Sequence, residues 1–264
     1  KFKKNNTTIY ALPGVPNEMK YMISNQILPQ IINSIQYPLS SRTLRTCGIS
    51  ESKLHEIIGR RDSEDENKIG YYPSVYGVDI KISNKKINEI DYLVKWIYKI
   101  FGTYIYAEDG NNMENIIIKN CIKHNQTLAV AESCTGGLIG DRLTNVSGSS
   151  DAFLGGIVVY SDESKVKILG ISKNILDQYG SVSKETALLM SKSVKNLFNS
   201  SIGLSVTGIA GPGGATVAKP VGLVYVGLST GIDTVAKKFN FGKDRKRNKI
   251  KTSQMALEFL RKGL

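Results

Sequence analysis

The chain has 264 residues with 41% hydrophobic and 22% charged residues, a composition that excludes a disordered protein and suits one or two domains. No apolar run approaches the roughly 18 residues of a membrane span, and the basic amino terminus lacks the apolar core of a signal peptide. The three cysteines form no CxxC pair, so we expect reduced thiols and a cytoplasmic protein with no membrane partner.

The net charge of +12 is concentrated near the carboxyl terminus. Residues 237–262 hold ten lysines and arginines against two acids. The same segment places Ile250, Leu257 and Leu260 at helical spacing, which predicts a helix with one buried side and a solvated basic face. Because two thirds of the excess charge lies in this one segment, we do not expect a nucleic-acid partner. A basic nucleic-acid-binding module remains the competing interpretation.

The first 108 residues predict two short segments. In residues 1–38 a strand, TTIYAL, precedes a helix over 17–33, which is too little to bury a core, so we expect this segment to dock on the rest of the chain or on a second copy. Residues 42–108 predict a helix around 51–58, a strand VYGVDIKIS and a helix INEIDYLVKWIYKIFG, an α+β pattern of marginal domain size. The turn-forming stretch EDGNNMEN then marks a boundary.

From residue 114 onward, predicted strands and helices alternate. The helices fall at 114–124, 135–144, 162–169 and 183–198, and the strands at 127–131, 154–160, 202–206, 221–228 and 233–241. Such alternation is typical of a mostly parallel sheet with helices on both faces, a three-layer α/β/α fold. We expect the last two strands to be antiparallel, because only a Gly-containing turn separates them. Ligands bind such sheets outside the carboxyl ends of the strands.

The motif AVAESCTGG, residues 129–137, places two candidate nucleophiles at one of those strand ends. The next helix is predicted to begin near Gly136, so free N–H groups of Thr135, Gly136 and Gly137 would surround the Ser133 hydroxyl as an oxyanion hole. The alternative is that Ser133 or Thr135 only caps the helix. We interpret Cys134 as a small buried residue, since neither a histidine nor a second cysteine is placed to ionise it.

A serine nucleophile needs a base, and neither His55 nor His124 falls at the carboxyl end of a strand. A lysine can serve if burial or a cationic neighbour lowers its pKa. Tyr160 ends a strand and Lys165 lies in the first turn of the next helix, so both are predicted at the same sheet edge as Ser133. A lysine at a helix start opposes the helix dipole, which favours a functional role over a solvated surface position.

Two further features map to this edge. The loop TGIAGPGGATVAKPVG follows a strand, and its backbone N–H groups, beginning at Thr207, Gly208 and Gly211, are suited to an anion or sugar site. It matches neither the P-loop nor the dinucleotide fingerprint. Arg245 opens the terminal helix, where it would either hold a phosphate by two hydrogen bonds or pair with Asp244 on the surface. No ligand spacing predicts a zinc site.

Three long motifs resemble one family. AVAESCTGGLIGDRLTNVSGSSDAFLGGIVVYSDESKVKILGI, YGSVSKETA and VTGIAGPGGATVAKPVGLVYVGL resemble the carboxyl-terminal domain of the CinA family of competence-damage-inducible proteins, a domain similar to nicotinamide mononucleotide deamidase. SRTLRTCGISESKLHEIIG resembles the family's KH-like middle domain, and ALPGVPNEMKYM the end of its molybdopterin-binding-like leading domain. We therefore expect a remnant of the leading domain over 1–38, a KH-like domain over 42–108 and an amidohydrolase domain over 114–264.

The resemblance implies hydrolysis of the carboxamide of nicotinamide mononucleotide to nicotinate mononucleotide and ammonia, with no metal and no redox cofactor. It implies a nucleophile at Ser133, assisted by Tyr160 and Lys165, and a substrate site that contains Arg245. In the expected cycle Lys165 takes the Ser133 proton, N–H groups near Thr135 hold the oxyanion, and Tyr160 positions Lys165 or relays a proton to ammonia. We expect a homo-oligomer, and more specifically a dimer.

The chain also departs from the family pattern. Ala218 stands where an acid often precedes KPVG, and Lys249 stands where a second arginine is usual, which keeps the charge but loses bidentate geometry. No GxxG occurs in residues 42–108, so the feature with which a KH module clamps nucleic acid is missing. Nearly all of the leading domain lies outside the sequence, so we do not expect its pyrophosphatase activity. A regulator that binds pyridine nucleotides without turning them over remains an alternative.

Overall fold

The structure is a computed structural model that describes residues 1–5, 7–33, 39–62 and 68–264, with the side chains of 60–62 excluded. Its amino-terminal segment begins with an antiparallel hairpin of strands β1 (Phe2–Lys4) and β2 (Thr7–Ile9). Helices α1 (Pro16–Met22) and α2 (Leu28–Ile32) follow, joined by a π-helical turn over Ile23–Ile27.

The amino-terminal segment leaves its apolar side chains uncovered. None of its described residues in 1–33 is buried, and Phe2, Tyr21 and Ile32 are 54%, 64% and 62% exposed. The expected burial of this segment against the rest of the chain is therefore not observed. Residues 34–38 of the predicted segment lie outside the described residues.

The described residues between 39 and 108 form a small α+β unit. Its antiparallel sheet has the order β4-β5-β3-β6. The elements are β3 (Ser40–Thr46), α3 (Glu51–Asp62), β4 (Lys68–Pro73), β5 (Val78–Asn84), α4 (Ile87–Phe101) and β6 (Ile105–Glu108). Helix α4 buries residues at helical spacing, namely Ile90, Leu93, Val94, Ile97 and Phe101, against the sheet core that includes Leu44 and Ile80. The sequence predicted α3, α4 and β5 but missed the other three strands.

Residues 113–264 form the second unit, in which strands and helices alternate. The elements are α5 (Met113–Lys123), β7 (Leu128–Glu132), α6 (Leu138–Thr144), β8 (Phe153–Val158), α7 (Asp162–Leu169), α8 (Lys173–Tyr179), α9 (Lys184–Leu197), β9 (Ile202–Gly208), β10 (Leu223–Ser229), β11 (Thr234–Asn240) and α10 (Arg245–Gly263). Helix α8 was not predicted, because its seven residues, about two turns, leave too little apolar periodicity to detect.

The sheet of this unit has the order β11-β10-β9-β7-β8. Strand β7 is parallel to both β8 and β9, whereas β10 is antiparallel to β9 and β11. Four strands therefore share one direction, and both the mostly parallel α/β fold and the antiparallel final pair are confirmed.

Helices cover both faces of this sheet. Leu128 and Val130 of β7 face a core shared with α5, α6 and α10, while Ala129 and Ala131 face a core shared with α8 and α9. This division follows from the two-residue period of a strand, and it confirms the three-layer architecture. In α10, Leu257 and Leu260 are fully buried as predicted, whereas Ile250 is only half-buried. Within the described ranges, no helix combines the length and apolarity needed to cross a bilayer.

Candidate active site

A cavity of about 240 Å³ opens where β7, β8 and β9 end. Because parallel strands point the same way, their carboxyl ends meet at one edge of the sheet. Seven of the residues predicted from the sequence line this cavity, namely Ser133, Tyr160, Lys165, Thr207, Gly208, Gly211 and Arg245. Three others, Thr135, Gly136 and Gly137, lie in the adjoining turn and do not line it.

The turn that carries Ser133 is held by the residue before it. The Ser133 N–H donates to the carbonyl of Val206 at 3.0 Å, which fastens the turn to β9. Glu132 is buried, with 3% exposure, and its carboxylate accepts N–H groups from Gly137, Ile139 and Gly140 at 3.0, 3.1 and 2.8 Å. An internal acid therefore satisfies the amides at the start of α6, where the helix dipole favours a negative charge.

This arrangement corrects the predicted oxyanion hole. The N–H of Gly137 is bound to Glu132, and that of Gly136 donates to the Ser133 carbonyl at 3.1 Å, so neither is the free donor that we predicted. The helix begins at Leu138 because Gly136 and Gly137 adopt φ of +62° and +93°, values that glycine tolerates best. The capping alternative is also wrong, because Glu132 supplies the cap rather than Ser133 or Thr135.

Thr135 lies behind this turn. It is fully buried, and its hydroxyl has no hydrogen-bond partner among the described residues. Cys134 lines the cavity, but burial raises the pKa of its thiol to about 12. The thiol is therefore neutral near pH 7, as expected for a small buried residue.

Lys165 is the deepest cation of the cavity. It is 1% exposed, which excludes the solvated surface position. Its Nζ donates to the backbone carbonyls of Tyr160 and Ser161 at 3.3 and 3.5 Å, and Asp162 Oδ1 lies 3.7 Å away. Burial lowers the pKa of Lys165, and the charge of Asp162 opposes that change. At a given pH the amine is therefore unprotonated more often than a free lysine, as a general base requires.

Tyr160 and Arg245 contact each other at the mouth of the cavity. Arg245 donates from Nη1 to the Gly211 carbonyl at 2.7 Å and from Nη2 to the Tyr160 hydroxyl at 2.9 Å. The backbone carbonyl of Tyr160 thus contacts Lys165, while the Tyr160 hydroxyl orients Arg245. Arg245 does not pair with Asp244, which instead caps α10 by accepting the Arg247 N–H at 2.7 Å.

Sequence reasoning missed four residues that hold the site in place. Glu132 is one, and Asn248 another, since its side-chain amide donates to the carbonyls of Ala210 and Gly242. Asp162 and Ser181 are hydrogen-bonded to each other across the cavity wall. A usable signal existed only for Asp162, which lies three residues before Lys165 and so on the same helix face.

Lys249, which departs from the family pattern, lies beside the Ser133 turn. A Cβ built on Gly136 would be 3.5 Å from Lys249 Nζ, so the positive charge is retained next to that turn. Within the described ranges, no group of three or more His, Cys, Asp or Glu side chains is arranged to hold a metal ion.

Two family models match the chain. The CinA C-terminal domain matches residues 110–264, and the damage-inducible protein CinA KH domain matches residues 41–107. The chain belongs to the CinA family. It is 43% identical over 266 residues to a competence-damage inducible protein of Halothermothrix orenii, covering 98% of this chain and 64% of that protein. A competence-damage inducible protein of Thermoanaerobacter pseudethanolicus is 39% identical over 268 residues, covering 99% of this chain and 65% of that protein.

Solved structures of CinA-type proteins resemble part of the chain. The competence/damage inducible protein CihA of Agrobacterium tumefaciens matches with a TM-score of 0.55 and 35% identity, covering 56% of this chain and 91% of that one. The competence damage-inducible protein A of Klebsiella pneumoniae matches with a TM-score of 0.55 and 28% identity, covering 58% and 96%. Among the curated relatives, the chain spans 64% of the length of the Halothermothrix orenii protein and 65% of the Thermoanaerobacter pseudethanolicus protein.

Proposed function

We propose that this CinA-family protein is an amidohydrolase that converts nicotinamide mononucleotide to nicotinate mononucleotide and ammonia. The observation that carries the proposal is the shared cavity of Ser133 and the buried amine of Lys165. A hydroxyl and a lysine whose pKa is lowered by burial are the parts of a serine nucleophile with a lysine base. The choice of substrate rests on the resemblance of the motifs around these residues.

In the proposed first half-reaction, the neutral Lys165 amine takes the proton of the Ser133 hydroxyl as Oγ attacks the carboxamide carbon. The carbonyl oxygen becomes an oxyanion, for which the N–H of Thr135 remains a candidate donor because Gly136 and Gly137 are engaged. The tetrahedral intermediate collapses when the carbon–nitrogen bond breaks. The Lys165 ammonium donates its proton to the leaving amide nitrogen, which departs as ammonia, and an ester on Ser133 remains.

In the second half-reaction, water attacks the ester carbonyl while Lys165 accepts a proton from it. The carbon–oxygen bond to Ser133 then breaks, the Lys165 proton returns to Oγ, and nicotinate mononucleotide leaves. The substrate keeps its phosphate throughout, so a phosphate contact serves to position the carboxamide rather than to break it. Arg245, held between Tyr160 and Gly211, is the proposed phosphate ligand.

The test is direct measurement of both products. We expect the chain to release ammonia and nicotinate mononucleotide from nicotinamide mononucleotide in equal amounts. Acid quenching during turnover should trap the acylated protein, with the added mass located on the peptide that contains Ser133. Ser133→Ala is the control and should release neither product. Purified chain that binds the mononucleotide without releasing ammonia would instead support a non-catalytic binding protein.

We also propose that the protein functions as a homodimer, in which the exposed apolar side chains of residues 1–33 are covered. Sedimentation velocity across a range of protein concentrations tests this proposal. A sedimentation coefficient that stays at the monomer value would contradict it. Removing residues 1–33 should lower solubility without abolishing amidase activity, because these residues do not line the cavity.

A further inference from the structure

A carboxylate that the proposed cycle does not use lies beside its base. Asp162 is the first residue of α7, so positions 162 and 165 share one face of the helix. Asp162 Oδ1 is 3.7 Å from Lys165 Nζ, and both side chains line the cavity that contains Ser133. A fixed negative charge therefore adjoins the buried amine.

The Asp162 carboxylate is held from outside its own helix. Ser181, in the connection between α8 and α9, donates a hydrogen bond from its hydroxyl to Asp162 Oδ1. The backbone carbonyl of Ser181 in turn accepts a hydrogen bond from Thr207 Oγ1 at 2.7 Å, at the end of β9. Although Asp162 is 65% exposed, its position is thus set by a second loop and a strand.

The other groups that face the amine carry no negative charge near pH 7. The backbone carbonyls of Tyr160 and Ser161 accept hydrogen bonds from Nζ. Cys134, on the turn after β7, is a neutral thiol because burial raises its pKa to about 12. Arg245, from α10, is a cation directed at the Tyr160 hydroxyl and the Gly211 carbonyl. In the described part of the chain, Asp162 is the carboxylate within ion-pair distance of Lys165.

We propose that Asp162 is a positioning residue for Lys165, that Ser181 orients it, and that this acid retains a proton on the amine and so sets the pH range in which Lys165 acts as a base. The inference rests on the proposed role of Lys165. Its physical basis is an opposition: burial lowers the pKa of the Lys165 amine, and the Asp162 carboxylate raises it. Removal of the carboxylate takes away the largest of the effects that oppose burial, so the amine loses its proton at lower pH.

Trace acetylation with acetic anhydride measures the protonation of Lys165 without any substrate, because only the unprotonated amine reacts. The 264-residue chain is labelled across a range of pH, and the Lys165 peptide is quantified by mass spectrometry. We expect Asp162→Asn to increase Lys165 labelling at pH 7 by about three- to tenfold, a modest factor because the acid is partly exposed. Ser181→Ala should shift the labelling curve in the same direction by a smaller factor.

Glu163→Gln is the matched control. Glu163 lies in the same first turn of α7 but pairs with Lys167 at 2.7 Å, and both of those side chains are more than 70% exposed. Its removal deletes the same charge from the same turn, so a general effect on the helix would appear in both variants. We expect Glu163→Gln to leave the Lys165 labelling curve where it is in the wild-type protein.

The results separate this inference from the proposed function. An unchanged labelling curve in Asp162→Asn, or an equal shift in Glu163→Gln, overturns the role of Asp162 whatever the activity shows. If the curve shifts as expected, the acidic limb of kcat/KM for nicotinamide mononucleotide should shift to lower pH by the same amount. A shifted labelling curve in a chain that releases no ammonia would support the inference about Asp162 while contradicting the proposed amidase activity.

Discussion

Arg245 Nη2 donates a hydrogen bond to the phenolic oxygen of Tyr160 at 2.9 Å, across 85 positions of sequence. The resemblance to CinA proteins implied that Tyr160 assists the nucleophile. In the structure its backbone carbonyl contacts Lys165 while its hydroxyl holds the guanidinium. We therefore propose that the tyrosine side chain supports Arg245 in phosphate binding rather than assisting the reacting serine.

Tyr160→Phe should consequently weaken substrate binding more than it slows the reaction. Loss of a partly exposed hydrogen bond to the guanidinium should cost about 0.7–1.4 kcal/mol, so KM should rise about three- to tenfold. We expect kcat to change by less than about twofold. Steady-state kinetics measures both, with Tyr179→Phe as a control because Tyr179 does not line the cavity. A large fall in kcat at unchanged KM would instead indicate that the Tyr160 hydroxyl takes part in proton transfer.

Arg245→Ala should discriminate between a phosphorylated and a dephosphorylated substrate. We expect the variant to lose about 1.5–3 kcal/mol of transition-state binding for nicotinamide mononucleotide, as obtained from kcat/KM, which is the range for a charge-assisted hydrogen bond. The corresponding nucleoside lacks the phosphate, so its kcat/KM should barely change. Arg247→Ala, which removes an exposed cation from the same helical turn, should affect neither substrate strongly. Equal losses on both substrates would assign Arg245 to the reacting end or to folding.

Lys165→Met should abolish practical turnover while keeping the protein folded. Methionine fills much of the buried volume but cannot accept a proton, and a general base contributes about 10²–10⁴-fold to a rate. We expect kcat to fall by that factor with little change in substrate affinity, which isothermal titration calorimetry can measure directly. A variant that retains near-wild-type ammonia release would show that another group is the base.

The pH dependence follows from the lowered pKa of Lys165. Its amine loses its proton below the 10.5 of an ordinary lysine, so kcat/KM should rise with pH along a limb centred below that value. The folded protein binds fewer protons at this site than the unfolded chain does between the two pKa values. The stability of the wild type relative to Lys165→Met should therefore increase as pH rises through that window, which urea midpoints at several pH values would reveal. An opposite trend would mean that the folded protein favours the ammonium.

Glu132→Ala should destabilise the whole unit over residues 113–264 rather than affect only the cavity that contains Ser133. The carboxylate accepts three N–H groups at the start of α6, and its removal leaves buried donors without partners. We expect a loss of about 2–4 kcal/mol in the free energy of unfolding, measured by urea denaturation. Glu163→Ala, at an exposed acid, should stay within about 0.5 kcal/mol of the wild type. A small effect at Glu132 would mean that water replaces the carboxylate.

Much of the fold could be predicted from the sequence because helices and strands leave patterns among neighbouring residues. The helical spacing of Leu257 and Leu260 and the alternation of short strands with helices predicted the elements of the α/β unit and their layering. Strand β4 forms a hairpin with β5, only four residues further along the chain, and that hairpin was not recognised. Strand β6 was missed because it has only four residues and pairs with β3, which comes from a distant part of the chain. Pairing of that kind leaves little pattern within the strand itself.

For the site, the sequence alone determined which residues meet: Ser133, Tyr160 and Lys165 follow strands that end at one edge, and that convergence comes from strand direction. Tertiary structure alone decided what each residue touches. It placed the Glu132 carboxylate on the Gly137 amide, one of the three amides predicted to hold an oxyanion, and it paired Asp162 with Ser181. Hydrogen bonds have short reach and strict geometry, so their partners are chosen only when distant segments pack together.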